Sequence, residues 1–113
     1  MIGGYISSAF LAAAGVAGVL IPERIAPVLD TPLPSGRARA EFRIANGAFA
    51  GIGVWALIEG SAALFIGVGL AWAGAAMVRL LALALDSPRA DWTYWAFLAL
   101  EAGLAFVALV PGA

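Results

Sequence analysis

The chain has 113 residues, of which 64% are hydrophobic and 12% are charged, with a formal net charge of −1. Soluble domains carry about 25% charged residues, so this chain has too few to cover a water-facing surface and we predict that a lipid bilayer surrounds it. It contains no cysteine, histidine or lysine, which excludes disulfides, most transition-metal sites and the common catalytic triads. We therefore predict no enzymatic activity, no catalytic residue, no metal and no cofactor, and the charge indicates no nucleic-acid partner.

Hydropathy predicts an all-α fold. A helix crosses the hydrocarbon layer with about 17–25 apolar residues, and in lipid its backbone polar groups must bond internally. Four stretches meet this length. The predicted spans are residues 3–21, 40–58, 62–85 and 93–110. The predicted architecture is a transmembrane four-helix bundle, antiparallel and up-and-down, in which residues 1–113 form a single domain and no soluble domain is present.

The first span is expected to remain in the mature protein. Secretory signals begin with a basic segment, and no arginine precedes this apolar stretch. Pro22 ends the span, and three further prolines follow before residue 35. Because proline breaks a helix interior, we predict only a short interfacial turn between spans 1 and 2.

The second span carries charge at its start. Arg43 lies about one helical turn inside it, and Asn46 and Gly47 share its face of the helix. Either Arg43 joins a buried cluster with the other deep charges, or its long side chain reaches back to the membrane interface. Glu41 points about 200° away from Arg43 and is expected to pair with Arg37 instead.

The third and fourth spans each hold one deep ionic group. At 1.5 Å per residue, Arg79 lies about 9 Å from the end of span 3 and Glu101 about 12 Å from the start of span 4. Since isolated charges are costly in lipid, we predict that these two form a pair. Tyr94 shares the helix face of Glu101. The pair either fixes helix register, or relays a proton, or, with Arg43, Asn46 and Tyr94, lines a pocket for a polar or anionic group.

Small residues predict close helix packing. Gly47 and Gly51 have the G-x-x-x-G spacing, and Gly67 and Ala71 repeat it in span 3. Two interpretations stay open: packing within the bundle, or packing against a helix of another protein.

All six arginines lie in or nearest the 1–2 and 3–4 connections. Because positive charge stays in the cytoplasm, both connections are predicted to be cytoplasmic and both termini periplasmic, in a bacterial inner membrane. Trp92, Tyr94 and Trp95 are typical of an aromatic belt at the cytoplasmic interface, with Trp55 as its outer counterpart.

Four features follow one another along the chain. They are a proline-containing loop after span 1, an acidic–basic pair with a glycine at the start of span 2, a deep arginine followed by a D-x-P turn, and a glutamate in span 4. The residues are Glu41, Arg43, Gly47, Arg79, Asp86, Ser87, Pro88 and Glu101. Together they resemble an uncharacterised family of small four-span bacterial membrane proteins. The resemblance implies the four-helix membrane fold and implies no particular activity.

The small size and smooth helix faces favour an accessory or scaffold subunit that packs against other membrane protein subunits. The alternative is a binder or carrier of a small lipophilic or anionic molecule, held by the Arg/Glu cluster in the cytoplasmic half of the bundle.

Overall fold

The computed structural model describes residues 1–110 and residue 112, and this part of the chain is helical with no β-strand. The elements are α1 (Ile2–Leu20), α2 (Pro22–Ile25), one 3-10 turn (Ala26–Leu29), α3 (Gly36–Glu59), α4 (Ala62–Leu85) and α5 (Trp92–Leu109). The predicted all-α class is therefore confirmed.

The helix boundaries follow from local capping. Ser35 accepts a hydrogen bond from the Ala38 amide at 3.1 Å, so α3 starts at Gly36, about one turn before the predicted span 40–58. Asp91 caps α5 in the same way, its Oδ1 atom 3.1 Å from the Tyr94 amide. Helix α4 has the same bounds as the predicted span 62–85, and α1 and α5 begin and end within one residue of spans 3–21 and 93–110.

Three helices among the described residues, α1, α4 and α5, are long and apolar enough to cross a membrane, which is consistent with a membrane protein. Helix α3 is long enough to cross a membrane but is not apolar enough to belong to this group. Its first two turns contain Arg37, Arg39, Glu41 and Arg43, and Glu59 ends it, so charge lowers its hydropathy. The prediction of four spans thus goes beyond what these three helices establish.

Helix α1 is central, because it packs against α3, α4 and α5. It runs antiparallel to α3: Gly15 lies against Ala50, whereas Ala12 lies against the later residue Gly53. Helices α4 and α5 form a second antiparallel pair, in which Gly69 meets Leu109 at one end and Arg79 meets Glu101 at the other. The apolar core lies between them, around Leu11, Ala56, Phe65 and Val68.

The glycines that allow this packing are not the predicted ones. A methyl group on Gly53 would lie 2.5 Å from the Ala12 amide nitrogen, whereas one on Gly51 or Gly67 would meet nothing within 4 Å. Gly47, Gly51, Gly67 and Ala71 are all exposed. Of the three predicted glycines, only Gly47 faces a neighbouring helix, since a methyl group on it would lie 3.8 Å from the Val19 side chain. Two residues along a helix is about 200° of rotation, so Gly51 faces outward when Gly53 faces α1.

The segment between α1 and α3 is short and tied to the helices. Pro22 and Ala26 are buried, and the carbonyl oxygen of Ala26 accepts a hydrogen bond from the Thr31 amide at 2.9 Å. The predicted short turn is confirmed. It ends at Asp30, whose φ of 54° is in the left-handed region, a conformation that aspartate and asparagine tolerate better than most residues.

Candidate functional site

The deepest ionic contact joins α4 to α5. Arg79 Nε lies 2.6 Å from Glu101 Oε1, and Arg79 Nη2 lies 2.9 Å from Glu101 Oε2. The Glu101 side chain is 9% exposed and that of Arg79 is 22% exposed. The pair predicted from matching depths is therefore confirmed. A bidentate guanidinium–carboxylate contact fixes both orientation and register, since two parallel bonds must align at once.

Aromatic residues of α5 complete the surroundings of Arg79. The Tyr94 hydroxyl donates to the Arg79 backbone carbonyl at 2.5 Å. The guanidinium carbon of Arg79 is 5.1 Å from the centre of the Tyr94 ring and 5.5 Å from that of Phe97. Both distances are within the range of cation–π attraction. Because Tyr94 contacts both the backbone and the guanidinium of Arg79, it holds that side chain in place.

Part of the guanidinium remains available. Arginine has five N–H donors, of which Glu101 takes two here, leaving three with no protein acceptor among the described residues. Arg79 also lines a cavity of about 390 Å³ at the loop end of the molecule. The other lining residues come from the 3-10 turn and from the start of α5: Pro27, Val28, Leu29, Asp30, Arg89, Asp91, Trp92, Thr93, Tyr94 and Phe97. The cavity thus combines a fixed cation with aromatic and aliphatic walls.

The remaining charges of this cavity, which we call the Arg79 cavity, are at its rim. Arg89 Nε lies 3.4 Å from Asp91 Oδ2, and both side chains are partly exposed. Asp30 makes no ion pair with any described residue. A second cavity, of about 580 Å³, lies on the other side of Asp30 and is bordered by Glu23 and Arg39. Its one lining cation, Arg39, is exposed, whereas Arg79 is partly buried.

Arg43 and Asn46 belong to a different part of the structure. Arg43 Nη1 donates to the Val19 carbonyl oxygen at 2.5 Å. That carbonyl is in the last turn of α1, where Pro22 supplies no N–H, so Arg43 satisfies a helix end that would otherwise lack a donor. Asn46 donates to the Phe42 carbonyl at 2.9 Å and packs against Gly18. Arg43 therefore does not join the Arg79–Glu101 pair, and its side chain bonds the end of α1 instead.

The five predicted site residues therefore form two groups. Arg79, Glu101 and Tyr94 meet at the α4–α5 contact, and Arg43 and Asn46 meet α1. No ion pair or hydrogen bond within residues 1–110 joins the two groups. The described contacts thus do not bring all five residues into one cluster. The predicted ion pair between Arg37 and Glu41 is present, with Arg37 Nε 3.7 Å from Glu41 Oε1. Both side chains are exposed to solvent, and exposed ion pairs add little stability.

Sequence reasoning missed a polar contact in the core. The Ser7 hydroxyl donates to the Leu104 carbonyl oxygen, and the Trp72 indole N–H donates to the Ser7 carbonyl at 3.2 Å. These bonds link α1, α4 and α5. Ser8 beside it is fully buried, and its hydroxyl has no partner in the described structure. The signal was available, because Ser7 and Ser8 are the only polar side chains besides Tyr5 in the first span.

Comparison with known proteins adds one relationship. A family model described as a domain of unknown function, DUF4345, matches residues 2–111. The chain belongs to the DUF4345 family. No curated protein and no solved structure matches it significantly. The predicted resemblance to an uncharacterised family is thereby confirmed at that level, and membership of this family assigns no activity to the chain.

Proposed function

We propose that this DUF4345 protein is an integral membrane protein that binds a small amphipathic molecule in the Arg79 cavity, with an anionic group of the ligand on Arg79. The observation that carries this proposal is the combination of three unused guanidinium donors with a cavity of about 390 Å³ beside them. Ligand sites are typically about 300–1,000 Å³ and mostly apolar, with a few convergent polar groups.

The position of Glu101 supports this role. An arginine alone in an apolar environment is costly, and a buried carboxylate that meets it through two bonds stabilises the charge. The same two bonds hold the guanidinium plane at a fixed angle, so its remaining donors are preorganised for an oxyanion. Glu101 is thus a positioning residue, and Arg79 is the group that contacts the ligand.

The proposed setting is a bacterial inner membrane, with α1, α3, α4 and α5 crossing it. All six arginines lie in or nearest the 1–2 and 3–4 connections, which under the positive-inside rule places those connections in the cytoplasm and both termini outside. The Arg79 cavity is then at the cytoplasmic interface, where Trp92 and Trp95 are exposed as expected of an aromatic belt. We propose a binding or carrier role rather than an enzymatic one.

A double substitution tests the proposal without leaving a buried charge. Arg79→Leu with Glu101→Leu removes both ionic groups and keeps similar volume, so the fold is expected to persist. The purified variant in nanodiscs of native lipid extract should retain far fewer co-purifying anionic small molecules or lipids by mass spectrometry than the natural protein. The matched control, Arg37→Leu with Glu41→Leu, removes an exposed pair outside the cavity. Equal retention by all three proteins would overturn the proposal.

A second function is favoured by the outward-facing small residues of α3 and α4. Gly47, Gly51, Gly67 and Ala71 are exposed, and small residues at this spacing let membrane helices approach closely. We propose on this basis an accessory or scaffold role against another membrane protein subunit. Purification from native membranes in mild detergent tests it: a stoichiometric larger complex supports the role, and a protein that runs alone opposes it.

A further inference from the structure

We infer that the molecule bound in the Arg79 cavity is zwitterionic, with a phosphate-type oxyanion on Arg79 and a primary ammonium on Asp30. This inference rests on the proposed binding function and specifies its ligand class. The chemistry required is that of a phosphoethanolamine group, carried either by a membrane lipid or by a free molecule.

The charges of the cavity favour this over a simple anion. Glu101 faces Arg79 through two bonds, and Asp91 faces Arg89 at 3.4 Å. Each lining cation thus has its own carboxylate, and Asp30 is left as an additional negative group. A ligand with only negative charge would gain at Arg79 and lose at Asp30. A ligand with both charges finds a complementary partner at each.

Asp30 is held where it can act as that partner. It ends the 3-10 turn in a left-handed conformation, with its amide 3.0 Å from the Pro27 carbonyl oxygen. The turn is anchored by Ala26, which is 1% exposed. Asp30 also borders the neighbouring cavity that contains Arg39, but the two form no ion pair in the described structure. Its carboxylate is therefore free to accept N–H hydrogen bonds.

The geometry around the cavity also suits a headgroup with tails. Val28 is 51% exposed and Trp92 is 80% exposed, and both line the cavity. An acyl chain leaving the cavity would meet these apolar surfaces, whereas the ionic end stays between α4, α5 and the turn. A primary ammonium donates hydrogen bonds to a carboxylate, which a quaternary ammonium cannot do. If Asp30 binds the ammonium, the cavity should therefore prefer an ethanolamine headgroup, which has a primary ammonium, to a choline headgroup, which has a quaternary one.

The experiment compares phosphatidylethanolamine, phosphatidylcholine and phosphatidylglycerol as probes, titrated into the delipidated protein in detergent and followed by native mass spectrometry. We expect phosphatidylethanolamine to bind tightest. Asp30→Asn should weaken that binding about tenfold, the loss typical of one charge-assisted hydrogen bond, while phosphatidylglycerol binding stays the same or improves. Asparagine accepts the left-handed backbone of residue 30, so the turn is retained. The control is Asp86→Asn, an exposed carboxylate outside the cavity.

The outcomes separate the two proposals. If all three lipids bind equally and Asp30→Asn has no effect, the zwitterion inference is overturned while binding at Arg79 stands. If no lipid binds, soluble phosphoethanolamine is the remaining probe, and its binding with the same Asp30 dependence supports the inference with a free molecule as ligand. If neither lipid nor phosphoethanolamine binds, and the Arg79/Glu101 double leucine variant retains the same co-purifying molecules as the natural protein, both proposals are overturned.

Discussion

Arg79 and Glu101 meet through two bonds of 2.6 and 2.9 Å, although they lie 22 positions apart in the chain. Each belongs to a different apolar helix, so the contact fixes how far α4 and α5 slide past one another. Breaking it from one side only leaves a charge without a partner in a poorly solvated position, and the cost of that differs from the cost of removing both groups.

Glu101→Gln should therefore lower the stability of the protein by about 3–5 kcal/mol, because the Arg79 charge loses its counter-ion. Thermal unfolding in detergent, followed by circular dichroism, measures the change. Replacing both residues by leucine should recover most of the loss. Glu59→Gln is the matched control, since Glu59 is exposed at the end of α3. A double variant as unstable as Glu101→Gln would contradict this account.

Arg43→Met should loosen the end of α1. Methionine keeps an apolar side chain of similar length but removes the hydrogen-bond donor to the Val19 carbonyl. It also removes a positive charge near the C-terminal, negative end of the α1 dipole. Together the two losses should lower the free energy of unfolding by about 1–2 kcal/mol. Hydrogen–deuterium exchange should rise in the segment around residues 17–25. Arg39→Met serves as the control, because the Arg39 side chain makes no ion pair with the described residues and the only Arg39 hydrogen bond in the described structure outside the regular helix bonds is from its backbone amide to the Ser35 carbonyl. Unchanged exchange in Arg43→Met would argue against the capping role.

Gly53→Ala and Gly51→Ala should have opposite effects although they are two residues apart. The added methyl of Gly53→Ala lies 2.5 Å from a backbone nitrogen of α1, so the helices must separate, at a cost of about 1–3 kcal/mol. Gly51→Ala meets open space and should gain up to about 1 kcal/mol from higher helix propensity. Thermal unfolding of the two variants side by side tests this, and equal destabilisation would show that Gly51 packs against something as well.

Ser7→Ala should cost about 1 kcal/mol, the net value of one hydrogen bond, because the Leu104 carbonyl loses a donor. Trp72→Phe should cost a similar amount by removing the indole donor to the Ser7 carbonyl. Because the two bonds use the hydroxyl and the backbone carbonyl of one residue and so hold the same point of three helices, the effect of the double variant should differ from the sum of the two single variants. Strict additivity in thermal unfolding would indicate that the three-helix contact is not cooperative.

The proposed topology can be read by labelling single cysteines, since the natural chain contains none. Thr31→Cys and Ser87→Cys are expected to react with an impermeant maleimide only in inverted vesicles, and Glu59→Cys only in right-side-out ones. All three residues are exposed. The pattern follows from the positive-inside rule applied to six arginines. Labelling of Glu59→Cys on the same side as Thr31→Cys would exclude α3 as a spanning helix.

The amino-acid sequence alone determined the properties that depend on neighbouring residues. Apolar length and proline placed α1, α4 and α5 within one residue of their observed bounds, since helix formation is governed by short-range hydrogen bonds and caps. Matching depths along two helices were enough to pair Arg79 with Glu101, because a charge in an apolar environment has few alternatives.

Only the tertiary structure decided which face of each helix is inside. Gly51 and Gly53 are equally small, and the choice between them depends on where α1 docks, which involves residues some 40 positions away. The same holds for Arg43, whose partner is a backbone carbonyl of α1, a group every residue has and no side-chain pattern reveals. The Arg79 cavity likewise exists only in the folded chain, because its lining residues come from the 3-10 turn, from α4 and from the start of α5. Contacts between distant segments depend on complementary shape, and shape is a property of the assembled helices.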